Sequence, residues 1–358
     1  MKLATRLPAE RSLPPADADQ IALIREQIIK VGNDYRARHP WIVRNQNAIG
    51  LTIFLVSIAG VAADAVLYAT GVMPWWICIP LTAFWLSLLH ELEHDLIHWM
   101  YFRRRRWVHH VMMFGVWALR PNAVNPWIRR RWHLHHHEVS GTESDLEERS
   151  ISNGEGWGAH RFLTILDHVL GVATKPFRFR QLVKDFVEHE AADPAERRRL
   201  MAVTITAYLP LGLLHYGAWY LFLGLHAYEL FGGTVPASPW YDALNVMAVA
   251  WLIPNALRSF CLLFVSSNMH YFGDIEEHNV LKQTQVWTAK WLWPFQAFCF
   301  NFGGTHAIHH FVVRDPFYIR QAIAPDALAV LRAHGVRFND FGTFKRANRY
   351  TLGAAAEQ

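Results

Sequence analysis

Histidine is the residue type with the clearest chemical message in this chain. The 358 residues include 21 histidines, and many of them fall in three short clusters. These clusters are residues 90–98 (HELEHDLIH), 133–137 (HLHHH) and 306–310 (HAIHH). Neutral imidazole is a ligand for iron, zinc, copper and nickel. The clusters therefore indicate a metal site, although the ligand type alone does not choose the metal.

The spacing within each cluster places several imidazoles on one side of a helix. In the first cluster, histidines at i, i+4 and i+8 share a face. In the other two, the pattern H-x-x-H-H places i, i+3 and i+4 together. A single histidine just after a later apolar run adds one more candidate. The predicted metal ligands are His90, His94, His133, His136, His137, His270, His306, His309 and His310.

Nine imidazoles are too many for one catalytic zinc, which uses three protein ligands. They fit two ions that keep open coordination positions. The row in the first cluster continues to His98, and His135 lies inside the second cluster, so either could replace one of the nine. The acidic segment 140–149 follows the second cluster and could accept hydrogen bonds from the imidazoles, as residues around metal ligands usually do.

Four apolar runs must position these clusters: residues 49–72, 75–89, 202–225 and 244–265. The first is long enough to cross a bilayer, and turn-forming residues pair the runs into two hairpins. The sequence predicts an all-α membrane protein with two transmembrane helical hairpins, hence four spans, and a cytoplasmic helical cap that holds a histidine-rich di-metal site. Its predicted parts are a cytoplasmic N-terminal segment (1–45), a membrane domain that holds the metal site (46–315) and a cytoplasmic C-terminal tail (316–358).

Composition and charge agree with a membrane protein. Hydrophobic residues make up 52% and charged residues 18% of the chain, against roughly 25% charged in soluble domains. The net charge of +5 comes from arginines that flank apolar runs, such as residues 103–106 and 197–199, which is typical of cytoplasmic loops and not of nucleic-acid binding. The first 40 residues lack a secretory signal. We therefore expect both termini and the metal site on the cytoplasmic side.

The three clusters resemble the histidine boxes of the integral-membrane fatty acid desaturase and hydroxylase superfamily. His90 and His94 match its H-x-x-x-H box, and residues 133–137 and 306–310 match its two H-x-x-H-H boxes in the same order. The resemblance covers roughly residues 49–315. It implies a non-haem di-iron centre with two Fe ions, O₂ as co-substrate, and electrons from an external reductase or ferredoxin-type protein. It also implies a fatty acid or fatty acyl substrate, a lipid environment such as the bacterial inner membrane, and a ligand role for His270.

The activity that this resemblance implies is oxidation of an unactivated C–H bond of an acyl chain, with desaturation as the leading reaction. Oxidative decarboxylation of free fatty acids to terminal alkenes is an alternative, because the acidic segment 140–149 is similar to that of a bacterial subgroup. Hydroxylation of a fatty acid or alkane is another. The histidines hold the metal in all three cases and do not choose among them.

Two further features of the sequence leave other interpretations open. His90-Glu91-x-x-His94 also matches the H-E-x-x-H signature of a membrane zinc metallopeptidase, in which Glu91 would be the general base. Asp64 and Arg258 are ionisable residues inside apolar runs, and such residues often have functional roles. Arg258 could anchor a substrate carboxylate, pair with Asp64 or reach the membrane surface.

Overall fold

The computed structural model describes residues 13–351, apart from the side chains of residues 167–168 and 171–179. Within these residues the chain is helical and has no β-strand, and its isolated bridges join His270 to Thr284 and Val286 to Phe338. The predicted all-α fold is confirmed.

The helices are, in chain order, α1 (Pro15–Arg38), α2 (Pro40–Arg44), α3 (Gln46–Ala69), α4 (Trp75–Ile97), α5 (Arg106–Leu119), α6 (Pro126–Val139), α7 (Leu146–Arg149), α8 (Ala159–Ile165), α9 (Asp167–Glu190), α10 (Pro194–Ile205), α11 (Leu211–Leu230), α12 (Pro239–Met247), α13 (Ile253–Met269), α14 (Val280–Gln283), α15 (Trp293–Phe298), α16 (Phe302–Phe311) and α17 (Phe317–Ala333). A π-helical turn at Ala248–Leu252 joins α12 to α13, and short 3₁₀ turns lie at Lys290–Leu292 and Phe341–Phe344.

Three helices among the described residues are long and apolar enough to cross a membrane. They are α3, α4 and the continuous helix Pro239–Met269, which combines α12, the π turn and α13. A tight turn joins α3 to α4, with Gly71 at a φ of 76° and Pro74 at the N-cap of α4. A left-handed residue is easiest for glycine, which has no Cβ to clash. The first predicted hairpin is therefore present.

The fourth predicted span is not confirmed. The apolar run 202–225 is divided between α10, which ends at Ile205, and α11, which begins at Leu211. Pro210 precedes α11 and has no N–H to continue a helix across the turn. Two histidines, three tyrosines and a glutamate also lower the hydropathy of α11. The sequence-based count of four did not take these polar groups into account.

Helix α4 connects the membrane part of the protein to the histidine clusters. Its apolar run was expected to stop at residue 89, but the helix continues to Ile97 and includes most of the first cluster. Leu86, Leu89, Leu92 and Leu96 on this helix are fully buried against α3 and α5. Each such leucine stabilises the packing by about 1.5–3 kcal/mol. The histidines of α4 are thus held on a rigid, well-packed element.

The two ends of the chain pack together. Ile24 and Ile28 of α1 lie in the same apolar cluster as Ile323 and Leu331 of α17, and the Gln20 side-chain amide donates to the His334 carbonyl at 2.6 Å. This packing fixes α17 beside the histidine clusters, where it contributes a side chain to the site.

Candidate metal centre

Four structural elements bring their histidines to one buried place. Helices α4, α6 and α16 each present one of the three clusters, and the end of α13 presents His270. Two groups of four histidines result, and within each group the ligand atoms all lie within 4.8 Å of one another. The first histidine group is His94, His98, His133 and His309; the second histidine group is His136, His270, His306 and His310.

The first histidine group draws on all three clusters. The Nε2 atoms of His98 and His133 are 3.0 Å apart, and the His94 Nε2 is buried without a hydrogen-bond partner. His137 lies directly beside this group, with its Nε2 3.1 Å from that of His133 and 3.0 Å from that of His309.

The second histidine group is arranged around His310. The Nε2 of His310 lies 3.0 Å from that of His306, 3.3 Å from that of His136 and 3.4 Å from that of His270. One imidazole N–H cannot satisfy three facing nitrogens, because each hydrogen bond needs one donor and one acceptor. The convergence of these nitrogens is the arrangement that a shared cation would satisfy.

The separations between nitrogens fit metal coordination. Metal–nitrogen bonds of ~2.0–2.1 Å at angles of about 90–109° place neighbouring ligand nitrogens roughly 2.9–3.4 Å apart. The Nε2 separations of His310 from its three neighbours, 3.0–3.4 Å, fall in this range. The residues therefore fit a pair of adjacent metal ions, one in each group.

Carboxylates hold the outer nitrogens of two of these imidazoles. The Nδ1 of His133 lies 2.8 Å from Glu147, and the Nδ1 of His136 lies 2.9 Å from Asp145. These carboxylates belong to the acidic segment 140–149, which the sequence predicted would serve this purpose. The Nδ1 of His270 instead faces the Ser266 backbone carbonyl at 3.1 Å, with Glu148 nearby at 3.2 Å. Each contact favours a proton on Nδ1, which leaves Nε2 free to bind a metal.

Burial keeps most of these imidazoles uncharged. It lowers the pKa of His98 to about 2 and the pKa of His133 below its usual value. It also lowers the pKa of His306, His309 and His310 well below the ordinary range. The neutral form is the one that binds metals.

His136 differs because of its carboxylate partner. Burial alone would lower the pKa of His136, but the charge and hydrogen bond of Asp145 outweigh it and raise the pKa to about 9. A metal at the second histidine group must therefore displace a proton from the Nε2 of His136.

Arg320 of α17 holds the acidic residues of the first cluster. Its Nη2 lies 3.2 Å from Glu91 Oε2 and 3.4 Å from Asp95 Oδ1. Asp95 also accepts from the Tyr101 hydroxyl at 2.8 Å and from the Phe317 backbone N–H at 3.0 Å. Glu91 is therefore an ion-pair partner, and this position does not suit the general base of a zinc peptidase.

The structure brings seven of the nine predicted ligands into the two groups. His98, one of the two alternatives, joins the first group, whereas His90 and His137 lie outside both. The His90 Nδ1 instead faces Arg120 Nη1 at 3.1 Å. The other alternative, His135, faces away, with its Nδ1 2.8 Å from Glu190. Equal i, i+4 spacing on both sides of His94 could not show which neighbour reaches the site.

Comparison with protein families agrees with this geometry. The family model described as fatty acid desaturase matches residues 70–342, which is most of the chain. The chain belongs to the fatty acid desaturase family. The comparison with curated proteins gave no significant match. The matched residues include all the histidines of both groups, so the site coincides with the part of this desaturase-family protein that defines its membership.

A cavity of about 140 Å³ lies beside both histidine groups of this desaturase-family protein. Histidines of both groups line it, and so do apolar side chains such as Leu262 and Phe302. Its wall also contains three buried or nearly buried arginines: Arg120, Arg129 and Arg258. An apolar cavity with a few polar groups is the usual form of a small-molecule site. This inner cavity is therefore a candidate small-molecule site beside the histidine groups.

The three arginines of the inner cavity differ in their partners. Arg120 pairs with Glu93, and Arg129 lies 2.9 Å from Glu93 and 3.1 Å from Glu147. Arg258 has no carboxylate within ion-pair distance among the described residues, and its Nη2 donates to the Ser259 hydroxyl at 2.7 Å. Burial, and then repulsion from Arg258 and Arg129, lowers the pKa of Arg120 well below its usual range.

Asp145→Asn should weaken metal binding by about 10–100-fold, because the carboxylate that orients His136 loses its charge while the side chain keeps its size. Glu143→Gln is the matched control, since Glu143 is exposed on the same acidic segment. Competition with a coloured iron chelator would measure both. Equal metal affinity in Asp145→Asn and the wild type would contradict the orienting role.

Proposed function

We propose that this protein is an O₂-dependent, di-iron membrane oxidase that removes hydrogen from an unactivated C–H bond of a fatty acid or fatty acyl chain, with desaturation as the leading reaction. The observation that carries the proposal is the pair of adjacent four-histidine groups in a desaturase-family chain. Eight imidazoles with converging nitrogens, seven of them buried, suit two metal ions that retain open positions for O₂.

The proposed ligands of one iron are His94, His98, His133 and His309, and those of the other are the members of the second histidine group. His137 lies between the two sites, and its ring centroid is 4.8 Å from both His309 and His310. His137 therefore either completes one coordination sphere or separates the two. His90 forms part of the cavity wall beside Arg120.

Iron bound at these histidines would activate O₂. The residues of the chain hold the ligands in place and keep water away from the substrate. Glu147 and Asp145 orient His133 and His136 through their outer nitrogens, and the Ser266 carbonyl orients His270 in the same way. The apolar cavity wall keeps water away from the reacting carbon, which prevents side reactions of reactive species. Arg320 fixes the end of α4, so the spacing between clusters from distant parts of the chain is maintained.

Oxidative decarboxylation of a free fatty acid is the second candidate, favoured by the unpaired Arg258 in the cavity wall. In this reaction a C–H bond at the β carbon and the bond to the carboxyl carbon break, a terminal C=C bond forms, and CO₂ leaves. The substrate gives up two electrons, an external donor gives two more, and one O₂ becomes two molecules of water with the remaining protons taken from solvent.

The reaction needs two electrons per turnover besides those that the substrate gives up. A separate reductase or ferredoxin-type protein supplies them.

The exposed arginines 103–106 follow the first histidine cluster on the same side of the membrane. Because cytoplasmic loops are rich in arginine, we place the metal site on the cytoplasmic face of a bacterial inner membrane.

His98→Ala should lose about one of two bound irons per chain, since His98 supplies one of four imidazoles to the first site. His90→Ala should keep both, because its imidazole faces Arg120 and lies outside both groups. His135→Ala is the control, because His135 contacts Phe186 and Glu190 of α9 and lies outside both groups. Iron and protein assays of the purified variants would check this; loss of iron from His90→Ala with retention in His98→Ala would reverse the assignment.

Product analysis tests the proposed reaction. The iron-loaded protein in detergent, with O₂ and a reductase–ferredoxin pair, would be given saturated acids and their thioesters, and products would be identified by mass spectrometry. A chain with one new double bond supports desaturation, and an alkene one carbon shorter with CO₂ supports decarboxylation. No oxygen-dependent product from any of these substrates would contradict both.

A further inference from the structure

We infer that Arg258, Asn122 and Ser259 form a binding site for the carboxylate of a free fatty acid in the inner cavity. This inference rests on the proposed function in one respect: it names the chemical form of the substrate that the oxidase takes. A carboxylate held here would place its acyl chain in the cavity that leads to the histidine groups.

Arg258 is a buried cation without a buried counter-ion. Its side chain is 2% exposed, its Nε has no hydrogen-bond partner, and no carboxylate of the described residues lies within ion-pair distance. The other charged group within an apolar run, Asp64, is bound to the Thr82 hydroxyl at 3.2 Å and does not pair with Arg258. An uncompensated buried charge is strongly destabilising unless a partner binds to it.

Asn122 is unsatisfied at the same cavity wall. It is 1% exposed, and neither its Oδ1 nor its Nδ2 has a hydrogen-bond partner. Buried polar atoms almost always have partners, and leaving one unpaired costs about 1–3 kcal/mol. Two such side chains lining one cavity indicate a ligand that accepts hydrogen bonds from both.

The fold places these residues together by a specific connection. The Leu119 carbonyl at the end of α5 accepts hydrogen bonds from the Trp251 indole at 2.7 Å and the Asn255 amide at 3.1 Å. Both donors lie near the start of α13. The loop after α5, which carries Asn122, is therefore held against the turn of α13 that carries Arg258.

A carboxylate suits this site better than other acceptors. A guanidinium binds a carboxylate through two parallel hydrogen bonds, and an asparagine amide can donate a third. The neighbouring Arg120 and Arg129 are already paired with Glu93 and Glu147, so the positive charge that a negative ligand would balance is that of Arg258. A thioester or methyl ester has no negative charge and cannot replace it.

The cavity then continues from Arg258 toward the metal centre. Arg258, Leu262 and Ser266 lie at i, i+4 and i+8 on one face of α13, and all three line the cavity. They span about 12 Å along the helix at 1.5 Å per residue. At the far end, Ser266 donates to Glu148, which contacts His270 of the second histidine group. The acyl chain of a bound acid thus lies between Arg258 and the histidines.

Equilibrium binding to the full-length, iron-loaded protein without O₂ tests this site without turnover. The probes are radiolabelled dodecanoic acid and its methyl ester. The wild type should prefer the acid, and Arg258→Gln should bind the acid about 10–100-fold more weakly, as expected for loss of a charged hydrogen bond, with ester binding unchanged. Arg198→Gln, an exposed arginine on α10, is the matched control and should bind as the wild type does.

Arg258→Lys should retain the preference for the acid, and Asn122→Leu should lose part of it. If Arg258→Gln fails to fold, the wild-type comparison of acid with ester and the Asn122→Leu variant still decide. Equal binding of acid and ester by the wild type, or unchanged acid binding in Arg258→Gln, would overturn the site. If the protein prefers the acid but takes up no iron, the carboxylate site is upheld and the proposed function is contradicted. If the protein oxidises fatty acyl substrates but binds acid and ester equally, the proposed function is upheld and the carboxylate site is contradicted.

Discussion

The structure depends on holding many imidazole nitrogens face to face inside the protein. Such a set is unstable without a shared cation, because imidazoles with converging Nε2 atoms cannot all form hydrogen bonds with one another. Hydrogen bonds at the Nδ1 atoms hold several of these imidazoles with their Nε2 atoms facing the cation site. Glu147 and Asp145 do this for His133 and His136, and the Ser266 carbonyl does it for His270. Burial keeps the other imidazoles neutral.

The membrane helices hold the histidines in position. Helix α4 runs from the turn after α3 into the first histidine cluster, and α13 ends directly before His270. Arg320 ties α17 to the end of α4 through Glu91 and Asp95. Two of the three candidate membrane helices and a helix near the end of the chain thus meet at the histidine groups, and α4 and α13 both line the inner cavity.

The sequence predicted most of this arrangement because its strongest signals are local and repeated. Spacing along the chain predicted the helical fold and the first hairpin. It also predicted the clustered histidines and the acidic segment that orients them. Spacing could not show whether His90 or His98 joins His94 in the first histidine group, because each is one helical turn from His94. That depends on how the end of α4 packs against α6 and α16. The fourth span, predicted over residues 202–225, is not confirmed. The high average hydropathy of this run conceals a turn at Pro210, which divides it between α10 and α11. The unpaired state of Arg258 is a property of its neighbours and could not be seen in sequence.

The metal content of the full-length protein tests the central claim most directly. The protein would be expressed with added iron, purified in detergent and examined by elemental analysis. The account predicts about two irons per chain, one for each group of four imidazoles. A single zinc with negligible iron, together with failure to take up iron after the zinc is removed, would contradict it.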